Sequence, residues 1–184
     1  MSTTKMIDRA VDELRQAVLL PDPRVREAAF IALAQLSRTE ATTRGYEMFR
    51  ELGGKTDGTA ARLLFHFTGQ SEPTIQQLDT LTANDTFLGM LIAEAFGERG
   101  GTVVPELITA LRRLCSEEQP SGTWMEHESR KYYIIHALQR IGPPAIKAIP
   151  DLVRCLEDRN AYRDTRWIAE QAIKAIKKGI PSKE

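Results

Sequence analysis

The side chains best suited to catalysis or metal binding are few in this sequence of 184 residues. It holds three histidines (His66, His127 and His136) and two cysteines (Cys115 and Cys155). A metal site needs such ligands close together. His66 and His136 take different positions along their predicted helices and His127 lies in a predicted loop, so we do not expect them to converge. Both cysteines fall where small core residues are expected. The sequence therefore predicts no metal site and no cofactor.

Motifs for nucleophilic or phosphate chemistry are also absent from the chain. It contains no Gly-x-Ser-x-Gly elbow, no phosphate-binding glycine loop and no zinc-ligand spacing. The glycines of segment 97–101 indicate a turn between repeats, because no strand pattern precedes them. The sequence therefore predicts a protein that is not an enzyme.

The elements around these residues are predicted to be paired helices. Apolar residues recur at three-to-four spacing, glycines and prolines separate the segments, and no useful stretch alternates with period two. A small or apolar residue recurs at Ala32, Leu64, Ala95, Ala137 and Ala172, so the copies are 31 to 42 residues apart. Because no single pair could bury its apolar face alone, we expect an all-α fold, an α-solenoid of about five stacked antiparallel helix pairs in one domain. The predicted repeats span about 6–37, 42–69, 74–99, 104–142 and 146–178.

Short motifs recur at the same points of several repeats. Pro105 and Pro150 lie just inside the first helices of repeats four and five, where a missing N–H costs little. Segment 22–29 reads Asp-Pro-Arg-Val-Arg-Glu-Ala-Ala, and segments 32–36 and 137–142 share Ala-Leu followed three residues later by Leu or Ile. In these motifs the chain resembles HEAT repeats, especially the short bacterial variety similar to those of phycobilisome-lyase subunits. The resemblance implies that the second helices line a concave surface at which partners bind.

The face of the second helices opposite their core stripe is, by that resemblance, the partner-binding face. Phe30 and Ile135 are apolar at positions where a solvated face would be polar, which suggests contact residues. Alternatively, neighbouring loops cover them, or they are isolated surface apolar residues. The candidate contact residues on this face are Phe30, Arg62, His66, Lys131, Ile135, Gln139, Arg166, Glu170 and Lys174.

The longest repeat carries its extra residues between its two helices, in segment 116–128. This segment contains four acids and no base, together with Trp124 and Met125, which are costly to leave in a loop. Insertions in repeat proteins map to loops that often bind partners, so both residues join the candidate contact residues. The alternative is that Trp124 folds back to cap the core, with the next helix starting near it.

Arg26 and Arg166 occupy equivalent positions in their repeats. The resemblance implies that such arginines pair with aspartates of the turns and form a ladder between repeats. Asp22 and Asp164 are the expected partners. A direct contact between these arginines and a ligand is the alternative.

The charge balance bears on the kind of partner. The chain has 25 basic and 25 acidic residues, but residues 129–184 carry a net charge of +6 and residues 1–128 one of −6. The basic end could attract an acidic partner, and solvated helix faces explain the same pattern. Nucleic acid is not an expected partner, because the concave positions of repeats two and three are not basic. No apolar run approaches a membrane span and no signal core is present, so we expect a cytoplasmic protein with reduced cysteines.

Together these features predict a non-catalytic adaptor, scaffold or regulatory module that binds another protein through the concave face and the loop of repeat four. Two alternatives stay open. One is a lyase-like subunit or small-molecule chaperone, which the resemblance to lyase subunits suggests. The other is a HEAT-like DNA-binding or DNA-glycosylase protein, suggested by Trp124, Trp167 and Asp164 together with a basic C-terminal third.

Overall fold

The computed structural model describes residues 3–36, 72–81, 86–116 and 123–178. Regular structure within these four ranges is entirely helical and includes no strand, which confirms the all-α prediction. No helix in the same ranges combines the length and the apolar character needed to cross a lipid bilayer. The chain divides into two compact units, residues 1–72 and 73–184. The arrangement of all repeats in one solenoid stays a prediction.

The described part of the first unit contains two helices, α1 (Thr3–Ala17) and α2 (Pro23–Leu36), which pack against each other. α1 is amphipathic, and Val11 and, just past its end, Val18 are buried. Asp22 begins α2, because its carboxylate accepts the Arg24 N–H at 2.8 Å, as an N-capping side chain does.

The buried face of α2 includes a residue that was expected on the opposite, exposed face. Phe30 and Leu33 are fully buried, whereas Ala28 and Leu36 are exposed. Phe30 is therefore a core residue of the first unit, and its prediction as an exposed contact residue is wrong.

The second unit contains α3 (Ile75–Asp79), α4 (Thr86–Arg99), α5 (Val104–Ser116), α6 (Trp124–Ile141), α7 (Ile149–Glu157) and α8 (Arg163–Lys177). Two 3-10 turns, Gly100–Val103 and Pro143–Ala148, join α4 to α5 and α6 to α7. Thr74 and Thr123 begin α3 and α6, each in a capping box with the Gln or Glu three positions on. α6 ends at Gly142, whose φ of 70° favours glycine.

α6 is the central helix of the second unit. It packs against α4 and α8, and α5 also contacts it. α8 in turn packs on α7, and α5 contacts both α3 and α7. Because α6 has several neighbours, more than one of its faces is apolar, and residues 133–138 are all buried. Ile135, which was expected on an exposed partner-binding face, is fully buried for this reason, and that prediction is wrong.

Glycines let α4 and α6 approach closely. A Cβ at Gly97 would lie 2.6 Å from the Cβ of Arg140, and a Cβ at Gly89 would overlap the ring of Tyr133. Such distances are sterically forbidden, so any larger residue would push the neighbouring side chain or helix away. We call these four residues, where α4 meets α6, the glycine seam. The seam holds α4 against the second half of α6.

Candidate functional site

The first turn of α6 exposes two large apolar side chains. The capping box of Thr123 makes the helix begin at Trp124, so Trp124 and Met125 are its first two residues. Each is 48% exposed. Both were predicted in a loop, whereas the structure puts them in a helical turn. Trp124 keeps about half of its surface in solvent and does not bury itself on the core, although the helix does start where that alternative expected.

An aromatic contact joins the start of α6 to the start of α8. Tyr162, the residue before α8, is 43% exposed, and its ring meets that of Trp124 edge-on with centroids 5.7 Å apart. We call Trp124, Met125 and Tyr162 the apolar end of the second unit. Tyr162 was missed by sequence reasoning, because it belongs to a turn that no repeat position singled out.

A buried carboxylate holds the start of α8 in place. Glu128, which is 4% exposed, accepts the Tyr162 N–H at 3.0 Å and the Thr165 hydroxyl at 2.8 Å on one oxygen. The Lys131 ammonium donates to its other oxygen at 2.9 Å. Tyr162 offers α8 no capping side chain of its own, so a carboxylate from α6 satisfies polar groups of that terminus. We call Glu128, Lys131, Tyr162 and Thr165 the Glu128 anchor.

The electrostatics of the Glu128 anchor keep its carboxylate ionised. Burial alone would raise the pKa of Glu128, but the hydrogen bonds from Lys131, Tyr162 and Thr165 outweigh it and lower that pKa. Glu128 is therefore ionised at neutral pH and balances Lys131, whose side chain is only 10% exposed. Lys131 was expected on an open partner-binding face. Its burial in this ion pair corrects that expectation.

Polar residues continue from Tyr162 along one side of α8. Arg166, Glu170 and Lys174 follow at successive intervals of four residues, which puts them on neighbouring turns of the helix. Glu170 and Lys174 form an ion pair at 2.6 Å. Arg166 and Lys174 are exposed, and Glu170 is half-buried. We call these three residues the α8 stripe; all three are predicted contact residues.

Of the predicted contact residues not yet placed, only Gln139 belongs to the part of the chain that the structure describes. Gln139 lies on α6 and is half-buried. Arg62 and His66 belong to the repeat predicted at 42–69, which falls outside the described residues. Among the described residues, the structure thus places Trp124 against Tyr162, the residue before α8.

The arginines expected to form a ladder make other contacts. Arg26 donates to two carbonyls of the preceding turn, at 3.2 and 3.3 Å, while Asp22 caps α2. Asp164 lies 3.7 Å from Arg163, its neighbour in the chain, rather than pairing with Arg166. Neither expected pair forms in the described ranges, because each aspartate has a nearer donor. The ladder prediction is wrong for these residues.

Arginine–carboxylate pairs instead link helices of successive pairs in the second unit. Arg112 of α5 donates to both carboxylate oxygens of Asp151 of α7, at 2.9 Å each. Arg140 of α6 donates to the buried Glu94 of α4 at 2.8 Å. The partners are 39 and 46 residues apart, close to one repeat length. That spacing was the signal available in the sequence, and a two-pronged pair of this kind fixes the relative position of two helices.

A cavity of about 540 Å³ lies among α5, α6, α7 and the start of α8. Arg112, Lys131, Asp151 and both cysteines line it. Cys155 is buried, as expected, but Cys115 is exposed where the apolar stripe of α5 ends. Its prediction as a core residue is therefore wrong. The two Sγ atoms lie 3.5 Å apart, a contact that the sequence analysis did not anticipate.

The two described histidines, His127 and His136, are buried and make contacts within the fold. The Nε2 of His127 donates a hydrogen bond of 2.9 Å to the carbonyl of Leu114, which lies near the end of α5. His136 is buried and stacks on Tyr132. Burial, with a further contribution from Arg140, lowers the pKa of His136 to about 4. In the described ranges no group of three or more His, Cys, Asp or Glu side chains could hold a metal ion.

The apolar end and the α8 stripe meet at Tyr162 and form one candidate contact surface. Its apolar part is fixed by the capping box at Thr123 and by the Glu128 anchor. Comparison with family models, with curated proteins and with solved structures finds no match to this chain.

Proposed function

We propose that this chain is a HEAT-like α-solenoid module that binds another protein without catalysing a reaction, as an adaptor or regulatory subunit in the cytoplasm. The contact surface is the apolar end together with the α8 stripe. The observation that carries the proposal is the exposure of Trp124 and Tyr162, about half of each side chain, in a fixed edge-on contact.

The apolar end has the composition and the rigidity of a binding anchor. Trp, Tyr and Met are enriched in protein interfaces, and a few such residues carry most of the binding energy. Here the capping box at Thr123 and the Glu128 anchor hold the two rings on adjacent helix starts. Because the rings are already placed, little conformational entropy is lost when a partner covers them.

The α8 stripe supplies the polar border that such an anchor needs. Arg166, Glu170 and Lys174 alternate in charge along the helix, and Trp167, next to Arg166, is 53% exposed. Interfaces of this kind combine an apolar centre with a polar rim, which selects and orients the partner. We therefore propose that a partner contacts the start of α6 and the outer side of α8 together.

The experiment begins with a partner recovered from the native host with the tagged chain and identified by mass spectrometry. Dissociation constants are then measured for the purified pair. We expect Trp124→Ala and Tyr162→Ala each to weaken binding by about tenfold or more. Either change should lower the free energy of unfolding by no more than about 1 kcal/mol, because each ring is half in solvent.

Ile146→Ala is the matched control. Ile146 is 46% exposed and lies in the 3-10 turn Pro143–Ala148, away from the apolar end. The substitution therefore removes a similar amount of exposed apolar surface at a different place. The control should bind with wild-type affinity. Unchanged affinity in Trp124→Ala, or a large loss of stability with intact binding, contradicts the proposed surface. Turnover of a metabolite by the isolated chain contradicts the non-catalytic part of the proposal.

A further inference from the structure

The two cysteines form a thiol pair across two helices. Cys115 lies in the last turn of α5 and Cys155 in the second half of α7, with their Sγ atoms 3.5 Å apart. Cys115 is exposed, while Cys155 is 3% exposed. Both line the cavity of about 540 Å³, so a small molecule in the cavity can reach the pair.

An ion pair one helical turn away links the same two helices as the thiol pair. Arg112 precedes Cys115 by three residues, and Asp151 precedes Cys155 by four, so each lies one helical turn before its cysteine. The guanidinium donates to both carboxylate oxygens at 2.9 Å. This two-pronged contact holds α5 and α7 in the register that brings the thiols together.

The surroundings make the two thiols chemically different. The hydrogen bond with the Cys155 thiol lowers the pKa of Cys115, and Lys131 adds to this, while burial, Asp158 and Glu128 oppose it. The same hydrogen bond and burial raise the pKa of Cys155. Cys115 is thus the better nucleophile and the more accessible one, with a protonated thiol beside it.

We propose that Cys115 and Cys155 form an oxidisable dithiol site, in which Cys115 reacts with a hydroperoxide and Cys155 then closes a disulfide between α5 and α7. In the first step the Cys115 thiolate attacks the terminal oxygen of the hydroperoxide. The O–O bond breaks, and the departing alkoxide or hydroxide takes up a proton, which leaves Cys115 as a sulfenic acid.

In the second step the Cys155 sulfur attacks the sulfenic sulfur of Cys115. The S–O bond breaks, and the hydroxide that leaves combines with the Cys155 proton to form water. Overall, the two thiols lose two electrons and two protons to the hydroperoxide. The products of its reduction are one water and either an alcohol or, for hydrogen peroxide, a second water. The sulfurs must approach from 3.5 Å to about 2.05 Å, a small shift for side chains already in contact.

The first test is alkylation of the reduced native chain by iodoacetamide at neutral pH, followed by peptide mass spectrometry. Cys115 should be modified at least about tenfold faster than Cys155. In denaturant the two rates should become similar, since the difference comes from the fold. Equal rates in the native chain overturn the assigned roles.

The second test adds one equivalent of hydrogen peroxide to the reduced chain. We expect an intramolecular Cys115–Cys155 disulfide that dithiothreitol reverses. Cys155→Ser should stop at the sulfenic acid and give one dimedone adduct at Cys115, whereas Cys115→Ser should give none at Cys155. Absence of the disulfide in the wild-type chain, or bridges mainly between chains, overturns the proposal whether or not the serine variants fold.

Discussion

The first turn of α6 exposes its large apolar side chains, whereas the second half of the same helix buries them. The first turn puts Trp124 and Met125 into solvent, while residues 133–138 are all buried against neighbouring helices. The second half is packed so closely that a glycine faces Tyr133 from α4. The difference shows that one helix can contribute both to the core and to the exposed surface. The packed half fixes the direction of the helix axis, and the capped first turn keeps large side chains in solvent.

Both regions contain buried charges, but they use them differently. Near the start, Glu128 joins Lys131 and the first turn of α8, so the ion pair supports exposed residues. Farther along, the Glu94 carboxylate accepts a hydrogen bond from Arg140 of the glycine seam, and the neutral His136 lies beside them. The first pair positions a surface, whereas the second completes a core.

The largest expected effect follows from removing the charge of the Glu128 anchor. Glu128→Gln leaves the buried Lys131 without a counter-ion while nearly keeping the shape of the side chain. We expect the free energy of unfolding to fall by about 3 kcal/mol, as when one partner of a buried ion pair is lost. Urea unfolding at neutral pH measures the change.

Glu170→Gln is the matched control for this measurement. It also removes a glutamate from a Glu–Lys pair within one helix, but there the two side chains are 46% and 58% exposed. Its effect should stay under about 0.5 kcal/mol. Similar losses in the two variants would show that burial does not distinguish the pairs, and the contrast between anchor and stripe would fail.

A smaller effect should come from acidification of the packed half of α6. The pKa of His136 is about 4 in the folded chain against an ordinary 6.5, because burial and Arg140 disfavour the charged ring. Between these values the unfolded chain binds more protons, so stability falls as the pH drops. From about pH 7.5 to about pH 5 the loss should be about 2 kcal/mol.

Urea unfolding of the wild-type chain and of His136→Gln at these two pH values isolates the contribution of His136. The variant should lose most of that pH dependence. The lowered pKa of Glu128 acts in a more acidic window, because its stabilisation is lost as pH falls below the ordinary carboxylate range. An identical pH dependence in both chains would mean that His136 titrates normally when folded.

The smallest expected effect concerns the glycine seam. Gly89→Ala should destabilise by about 1 kcal/mol, because overpacking of about 1–3 kcal/mol against Tyr133 is partly offset by the better helix propensity of alanine. Thermal unfolding measures this difference. In a Tyr133→Leu background the same change should cost less or even stabilise, since the ring is gone. Equal costs in both backgrounds would place the strain elsewhere.

Periodicity in the sequence predicted the helical character of the described chain and several helix positions. The repeat expected at 104–142 coincides with α5 and α6, which span Val104–Ser116 and Trp124–Ile141. Glycines explain why these helix ends could be located from the sequence. Gly100, in segment 97–101, and Gly142 have a positive φ that favours glycine, and the helices α4 and α6 end there. Trp124 and Met125 could be singled out too, because large apolar residues next to acidic loop sequence are unusual.

The faces of helices were harder to predict than their positions. A single-stripe pattern assumes that a helix packs on one side, whereas α6 packs against both α4 and α8, and Ile135 was misplaced for that reason. Contacts across repeats were missed because they depend on register. Arg112 with Asp151, and Cys115 with Cys155, are separated by 39 and 40 residues, and only the packing of α5 on α7 brings them together.

The Glu128 anchor also has a consequence for how the second unit opens. The Tyr162 N–H at the start of α8 and the Thr165 hydroxyl in its first turn depend on a carboxylate that belongs to α6. Fraying of that turn would take two of the three hydrogen-bond donors away from the buried Glu128 carboxylate, so the turn resists local opening. Amide hydrogens at the beginning of α8 should therefore exchange together with those of α6 rather than as a loose terminus, which makes the two helices one cooperative unit.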